Sequence, residues 1–131
     1  MIVDTSALMA ILFGEPDAPQ LLETLAGAPN RSMSAVPLFE ASLVAVQRQE
    51  LAGLSDLHEL IRLFSITIVP FSQRHADLAL DAFMRFGKGR HPARLNMGDC
   101  CSYALAQDMG QPLLFKGNDF TLTDIAPALP F

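Results

Sequence analysis

The chain has 131 residues, of which half are apolar and 18% are charged, a composition typical of one globular domain and not of a disordered segment. Its formal net charge of −5 at pH 7 argues against a generic basic nucleic-acid-binding protein. The two cysteines, Cys100 and Cys101, are adjacent, so neither a disulfide framework nor a structural zinc site is expected. The sequence shows no basic leader and no long apolar run, which predicts a cytoplasmic location without a membrane segment.

Short apolar strands alternate with amphipathic helices along the whole chain. Strands are predicted at residues 2–3, 32–35, 66–69 and 112–115. Helices are predicted over 7–12, from 16 to 27, over 37–50 and 54–64, from Ser72 towards the loop at 85, and over 98–110. This alternation predicts a single α/β domain whose parallel sheet has helices on both faces. Two prolines make residues 125–131 no more than a marginal edge strand.

The apolar spacing within two of these helices predicts which side faces the core. Gly53 is expected to end the third helix, and a new helix is expected to follow it. The predicted buried sides are Val36, Phe39, Leu43 and Val46 on the third helix, and Ala76, Leu80, Phe83 and Met84 on the helix that follows Ser72.

Four acidic residues fall at positions that meet in such a fold. Asp4 follows the first strand and Asp119 the last, while Asp99 opens a helix. Glu40 lies on the predicted buried side of its helix, near the start of that helix. Each has an ordinary explanation, since Asp caps helices and Glu often sits at a solvent edge. Ligands of open α/β sheets, however, bind beyond the carboxyl ends of the strands.

Carboxylates gathered at one edge repel one another unless a cation neutralises them. Mg²⁺ and Mn²⁺ prefer oxygen ligands, and such an ion can activate water for attack on a phosphodiester. Thr5, Ser6 and Asn118 add short polar groups near the same edge. The sequence therefore favours a divalent metal site over four unrelated surface acids.

A basic loop at residues 85–94 interrupts the otherwise acidic chain. It contains four of the nine basic residues, namely Arg85, Lys88, Arg90 and Arg94. Such a run is most often a solvated surface loop, and the alternative is a local patch that binds phosphates. Because Asp99 follows so closely, the position of the loop favours the patch.

Several of these segments resemble the PIN-domain ribonucleases of the VapC toxin type. The resemblance is carried by the N-terminal Met-Ile-Val-Asp-Thr-Ser-Ala, by Glu40 in its helix, by Leu-Asn-Met-Gly-Asp-Cys ending at Cys100, by Tyr-Ala-Leu-Ala from Tyr103, and by Pro-Leu-Leu-Phe-Lys-Gly-Asn-Asp-Phe ending at Phe120. Cys101 departs from the pattern, in which a large residue such as Phe is expected. Asp124 also recurs in the pattern and is interpreted first as a cap or turn acid.

The resemblance implies a three-layer α/β/α PIN-like fold with a central, mostly parallel sheet over residues 1–131. It also implies an endoribonuclease dependent on Mg²⁺ or Mn²⁺, whose metal-binding and catalytic residues are Asp4, Glu40, Asp99 and Asp119. Such toxins form homodimers and larger complexes with a VapB-type antitoxin. The alternative is a PIN-like module that binds RNA or protein without cleaving it.

Three other enzyme or signalling classes fit the sequence less well. A haloacid-type phosphatase needs a second acid two residues after the first, where this chain has Ser6. A receiver domain needs a phosphoacceptor Asp after the middle strand, and the segment from Val69 to Ser72 has none. A serine hydrolase of the α/β type needs a Gly-x-Ser-x-Gly turn, which this sequence lacks.

Overall fold

The computed structural model describes residues 1–129, and Pro130 and Phe131 lie outside the described part. Four short strands within it form one sheet: β1 (Ile2–Val3), β2 (Ser32–Ser34), β3 (Thr67–Val69) and β4 (Leu113–Leu114). The strand order is β3-β2-β1-β4, and every neighbouring pair is parallel. The predicted parallel sheet is therefore confirmed.

Helices cover both faces of this sheet. They are α1 (Thr5–Leu12), α2 (Ala18–Gly27), α3 (Ala35–Leu63), α4 (Gln73–Phe86) and α5 (Met97–Met109), followed by a 3₁₀ turn at Phe120–Leu122. Val3 and Leu114 pack with α1, α2 and α3, whereas Ile2 and Leu113 pack with α4 and α5. Successive strand residues point to opposite faces, so each short strand contributes to two cores. The three-layer α/β/α arrangement is confirmed. No helix within residues 1–129 is both long and apolar enough to cross a membrane.

The long helix α3 bends at Gln49 and Glu50, where the sequence predicts that one helix ends and another follows. Gln49 and Glu50 leave helical geometry, and Glu50 has a φ of 53°. The predicted end at Gly53 is wrong, because Gly53 lies inside the second half of α3. A Cβ atom on Gly53 would lie 2.4 Å from the carbonyl oxygen of Ala45. This glycine lets the two halves of α3 approach each other and does not end the helix.

The predicted buried sides of α3 and α4 are also wrong in part. Phe39 is 64% exposed and Leu80 is 59% exposed, although both lie on predicted core faces. The side chains that pack inward instead are Pro37, Ala41 and Ala45 on α3, and His75 and Ala82 on α4. Helical spacing identifies an apolar face, but it does not reveal whether the same chain covers that face.

The C-terminal segment adds a single bridge and not an edge strand. Pro127 forms an isolated parallel bridge with Leu113. The bridge is held by the amide of Leu113, which donates to the Ala126 carbonyl, and by the amide of Ala128, which donates to the Leu113 carbonyl. The remainder of the predicted edge strand, Pro130 and Phe131, lies outside the described residues.

The strand register determines where the acidic residues emerge. Val3 pairs with Leu114 on one side, and Ile2 pairs with Ser32 on the other. The residues that follow these strands, including Asp4 and Lys116, therefore leave the sheet at the same edge. This is the edge where ligands bind in open α/β sheets.

Candidate active site

Asp4 serves as a helix cap and also faces the edge where the strands end. Its Oδ2 atom accepts hydrogen bonds from the backbone N of Ser6 (3.0 Å) and from the Ser6 hydroxyl (2.6 Å). Asp4 is the N-cap residue of α1, which is the ordinary role that its position after β1 suggests. Asp4 is only 2% exposed. A carboxylate this deeply buried needs donors, and the first turn of α1 provides two of them.

The other oxygen of Asp4 is held from a different helix. The Ser102 hydroxyl on α5 donates to Asp4 Oδ1 at 2.5 Å. Ser102 was missed in the sequence, where it falls between Cys101 and Tyr103 in a run of small and apolar residues. Its spacing of three residues from Asp99 was the available signal, since residues three apart share one side of a helix.

Asp99 lies in the first turn of α5, and the charges of the other acids act on it. Its Oδ2 accepts from the backbone N of Asn96 (3.0 Å), and its own N donates to Asn96 Oδ1 (2.8 Å). Burial and, to a smaller extent, the negative charges of Asp4, Asp119 and Glu40 raise the pKa of Asp99 to about 7, whereas the hydrogen bond from the Asn96 amide lowers it. The other three acids therefore lie close enough to Asp99 for their charges to act on it.

Glu40 is half-buried and lies against the first turn of α5. Burial raises its pKa, a hydrogen bond with the Thr5 hydroxyl lowers it, and the negative charge of Asp4 raises it. The Thr5 hydroxyl donates to the Pro37 carbonyl oxygen at 2.8 Å, which joins the start of α1 to α3 near Glu40. The Glu40 carboxylate is so close to Gly98 that a Cβ there would lie 2.6 Å from Oε1.

Asp119 is the most exposed of the four acids, and it lies at the start of the 3₁₀ turn after β4. Asn118 beside it is exposed, and its carbonyl oxygen accepts from the Thr121 hydroxyl at 2.6 Å. Phe120 anchors the segment, because it is buried and its ring packs on Phe115. The turn therefore presents Asp119 from a fixed base towards Asp99.

Ser6 connects the end of β4 to this group. Its hydroxyl accepts from the backbone N of Lys116 (3.0 Å) and donates to Asp4. The Lys116 ammonium points away towards the α1–α2 connection, where it pairs with Glu15 (2.9 Å) and Asp17 (3.4 Å). Thr5 and Ser6 thus support the acids as hydrogen-bonding neighbours.

The predicted start of the basic loop at Arg85 is wrong, because Arg85 lies in the last turn of α4. The four basic residues also differ in what they contact. Arg85 pairs with Asp124 (2.9 Å) and donates to the Tyr103 hydroxyl (3.2 Å), so its charge is already engaged within the protein. Lys88, Arg90 and Arg94 are exposed, and none forms an ion pair with a residue in 1–129. Asp124 holds the C-terminal segment to α5, since it also accepts from Tyr103 at 2.6 Å.

The donor set of the acids suits a hydrated divalent ion. Among residues 1–129, no three His, Cys, Asp or Glu side chains already have the spacing of a complete metal cage. Mg²⁺ usually keeps several waters and takes only one or two carboxylates, so it does not need such a cage. Burial and, after it, the charges of the other three acids raise the pKa of Asp99. Carboxylate oxygens such as these are the ligands that hard divalent cations prefer.

Comparison with known proteins identifies the family. A family model described as the PIN domain matches residues 1–126. The chain belongs to the PIN-domain family. The resemblance seen in its motifs is confirmed.

Curated relatives of this PIN domain are VapC ribonucleases of mycobacteria. Ribonuclease VapC of Mycolicibacterium smegmatis is 48% identical over 126 residues, which cover 96% of this chain and 98% of the relative. Ribonuclease VapC28 of Mycobacterium tuberculosis is 45% identical over 130 residues, covering 98% of each. Identity at this level over nearly full length places the chain with the VapC type.

A solved structure extends the comparison at the level of fold. Mycobacterium tuberculosis VapC20, described as a sarcin-ricin loop cleaving toxin, superimposes with a TM-score of 0.77 over 98% of both chains. A chain of a toxin–antitoxin complex from Klebsiella pneumoniae gives a TM-score of 0.69 over 94% of this chain and 92% of that chain. The sequence identities are 19% and 21%, so these two comparisons support the PIN fold alone.

The two cysteines of this PIN domain are buried and unreactive. Burial raises the pKa of Cys100 to about 12 and that of Cys101 to about 11. The thiolate is the nucleophilic form of cysteine, and it is scarce at neutral pH with such values. Cys101, the departure noted in the sequence, therefore acts as a small apolar side chain close to Glu40.

Replacing Gly98 by alanine should displace Glu40 without unfolding the PIN domain. The added Cβ would meet the flexible end of a side chain, which can move, so the melting temperature should change by no more than a few degrees. We expect the affinity for Mn²⁺, measured by calorimetry, to fall about 10-fold because a carboxylate near the ion has shifted.

Gly27→Ala is the matched control for this change. Gly27 is also helical, and a Cβ there would have no atom within 4 Å. This variant should bind Mn²⁺ like the unmodified protein. Equal Mn²⁺ affinity for the Gly98→Ala and Gly27→Ala variants would contradict the assigned position of Glu40.

The raised pKa of Asp99 predicts how stability depends on pH when no divalent cation is present. The folded-state pKa of about 7 exceeds the ordinary value of 3.8, so the folded protein binds the extra proton between these values. Its contribution to stability is complete below about pH 4 and is lost as the pH rises through about 7. Asp99→Asn keeps an oxygen for the Asn96 amide and removes the charge.

We therefore expect Asp99→Asn to raise the free energy of unfolding at pH 8 by about 1 kcal/mol, and to raise it less at pH 5. Urea denaturation in the presence of a chelator, at both pH values, measures this difference. A variant that is equally destabilised at both would show that the Asp99 charge is not repelled in the folded state.

Proposed function

We propose that residues 1–131 form a single PIN domain that acts as a divalent-cation-dependent endoribonuclease, the toxin of a toxin–antitoxin pair. The observation that carries the proposal is the gathering of Asp4, Glu40, Asp99 and Asp119, which contributes to the raised pKa of Asp99. The 48% identity with a VapC ribonuclease over nearly the full chain supports the same conclusion. The cytoplasmic location stays a prediction.

The four carboxylates divide into two pairs by their surroundings. Asp4 and Asp99 are the first candidates for metal ligands, because hydrogen bonds fix both side chains. Glu40 and Asp119 then complete the site or hold a water molecule bound nearby. A Mg²⁺ or Mn²⁺ ion held by these residues would supply an activated water and would offset the charge that develops on the phosphodiester.

The residues of the chain orient the substrate and keep the acids in place. Three hydroxyl groups donate hydrogen bonds that keep the acid oxygens turned towards the edge of the sheet. Ser6 and Ser102 donate to Asp4, and Thr5 donates to the Pro37 carbonyl. Asn118, exposed beside Asp119, is available to contact RNA or water. In the proposed reaction, water attacks the phosphorus atom opposite the 3′ oxygen and the bond between phosphorus and that oxygen breaks. The products have a 5′-phosphate end and a 3′-hydroxyl end.

The loop after α4 is the proposed contact for the RNA backbone. Lys88, Arg90 and Arg94 are exposed and free of ion pairs with the described residues, and Arg94 lies two positions before the Asn96 that caps Asp99. Phosphate contacts from such side chains position RNA without reading its sequence. Arg85 contributes less in this scheme, because it is already paired with Asp124. The net charge of −5 requires a local patch of this kind.

An antitoxin is the partner that the VapC relatives and the toxin–antitoxin structure support. We propose a VapB-type antitoxin, a homodimer and a larger complex with the antitoxin. Support comes from apolar side chains that the described chain leaves exposed between three helices, including Phe39 on α3, Leu80 on α4 and Met97 on α5. Neighbouring exposed apolar side chains of this kind often mark a protein–protein interface.

Substituting the two best-positioned acids tests the nuclease proposal. Asp4→Asn and Asp99→Asn should each reduce RNA cleavage by at least about 100-fold, because each removes a charge proposed to bind the cation. The fold should survive, as judged by circular dichroism. The measurement is cleavage of single-stranded and structured RNAs with Mg²⁺ or Mn²⁺, followed by sequencing of the ends.

Wild-type activity in both variants would rule out the metal-site proposal. Metal binding by the unmodified protein with no cleavage of any RNA would favour the binding module instead. Glu23→Gln is a suitable control, because Glu23 lies on α2, away from the four acids. It should leave cleavage unchanged.

The loop proposal predicts a difference between basic residues. Arg90→Ala and Arg94→Ala should each weaken RNA binding and lower the slope of log affinity against log salt by about 0.7, the value for one single-strand phosphate contact. Arg85→Ala should affect the melting temperature more than the salt slope, because it breaks the contacts with Asp124 and Tyr103. Fluorescence anisotropy across a salt series measures the slopes. Unchanged slopes for both loop variants would make the loop plain surface.

A further inference from the structure

We propose that Ser102 is a positioning residue that fixes the distance between Asp4 and Asp99, and thereby the affinity of the site for its divalent cation. The inference rests on the proposed function, in which these two acids bind the ion. Ser102 Oγ donates to Asp4 Oδ1 at 2.5 Å, and the two residues are 98 positions apart in the chain.

The hydrogen bond joins the two elements that carry the proposed ligands. Asp4 follows β1 directly. Asp99 and Ser102 lie three residues apart on α5 and share one side of that helix. A helix advances about 1.5 Å per residue, so a slide of α5 by one residue would break the bond. The bond therefore sets the axial position of Asp99 relative to Asp4. Mg²⁺ tolerates little variation in ligand distances, which makes this spacing important.

Both ends of the bond are shielded from water. Ser102 is 1% exposed and Asp4 is 2% exposed. The other oxygen of Asp4 has two donors on Ser6, but Oδ1 receives its hydrogen bond from Ser102 alone among the described residues. Removing the Ser102 hydroxyl would leave a buried carboxylate oxygen without a protein donor, and would leave Ser6 as the only residue that holds Asp4 among those described.

A serine at this position is otherwise unfavourable. Its neighbours on α5, from Tyr103 to Ala106, are buried, and alanine would suit both the helix and the apolar surroundings better. A serine within a helix usually bonds to the carbonyl four residues earlier. Ser42 on α3 donates to the Leu38 carbonyl at 2.8 Å, whereas the Ser102 hydroxyl donates to Asp4. The Ser102 hydroxyl therefore stabilises the acid and does not cap a carbonyl of its own helix.

The test is a Mn²⁺ titration by calorimetry without RNA, on the full chain and on four variants. Ser102→Ala should weaken Mn²⁺ binding about 10-fold or more, the usual effect of losing a hydrogen bond to a metal ligand. Ser102→Thr keeps the hydroxyl and should bind more tightly than Ser102→Val, which has the same shape without it. Ser42→Ala removes a helical serine hydroxyl that donates to the Leu38 carbonyl and should bind like the unmodified protein.

RNA cleavage provides a second measurement. In Ser102→Ala, kcat at low Mn²⁺ should fall while KM for RNA stays constant, and excess Mn²⁺ should restore kcat. A merely structural role would not give a loss that metal repairs. If Ser102→Ala fails to fold, the threonine and valine pair decides, with melting temperatures measured for both.

Equal Mn²⁺ affinity of Ser102→Ala and the unmodified protein would overturn the proposal, as would equal affinity of the threonine and valine variants. It would also be overturned if the unmodified protein bound no Mn²⁺. If that protein binds Mn²⁺ but cleaves no RNA, the nuclease proposal fails. The Mn²⁺ affinities of the Ser102 variants would still test the positioning role of Ser102. The two proposals therefore fail by different results.

Discussion

Mutual repulsion among carboxylates at one edge of the sheet is the constraint on which the rest of this structure depends. Parallel pairing of β1 with β4 brings Asp4 and the segment leading to Asp119 out at the same edge, and α5 presents Asp99 beside them. Burial raises the pKa of Asp99 to about 7, and the negative charges of Asp4, Asp119 and Glu40 contribute to this rise. The fold tolerates this arrangement because hydrogen bonds hold each of the buried acids, and a cation would relieve the remaining repulsion.

The support for these acids comes from distant parts of the chain. The Ser6 hydroxyl accepts a hydrogen bond from the Lys116 amide and donates one to Asp4. These two bonds connect the end of β4 to the start of α1. Ser102 ties α5 to β1 in the same way. Gly98 leaves room for the Glu40 carboxylate. Each contact is small, but together they hold the acids at one edge before any ligand binds, which is the usual requirement of a metal-dependent site.

The apolar surface of the protein is divided between its own core and its exterior. Small side chains on α3 and α4 face inward, so these helices pack closely, and bulky ones such as Phe39 and Leu80 stay in contact with solvent. This division suits a protein that works with a partner. Two of the exposed apolar side chains, Phe39 and Met97, lie on the helices that carry Glu40 and Asp99, so a partner bound there would also lie close to these acids.

The sequence by itself determined the element types, the parallel sheet and the positions of the acids, because strand ends and helix starts are marked by local signals. It also carried the family resemblance. Tertiary structure alone decided that Arg85 pairs with Asp124 and that Ser102 holds Asp4. These features depend on contacts between residues far apart in the chain, and no local pattern of spacing or composition specifies which distant side chain a given residue will meet.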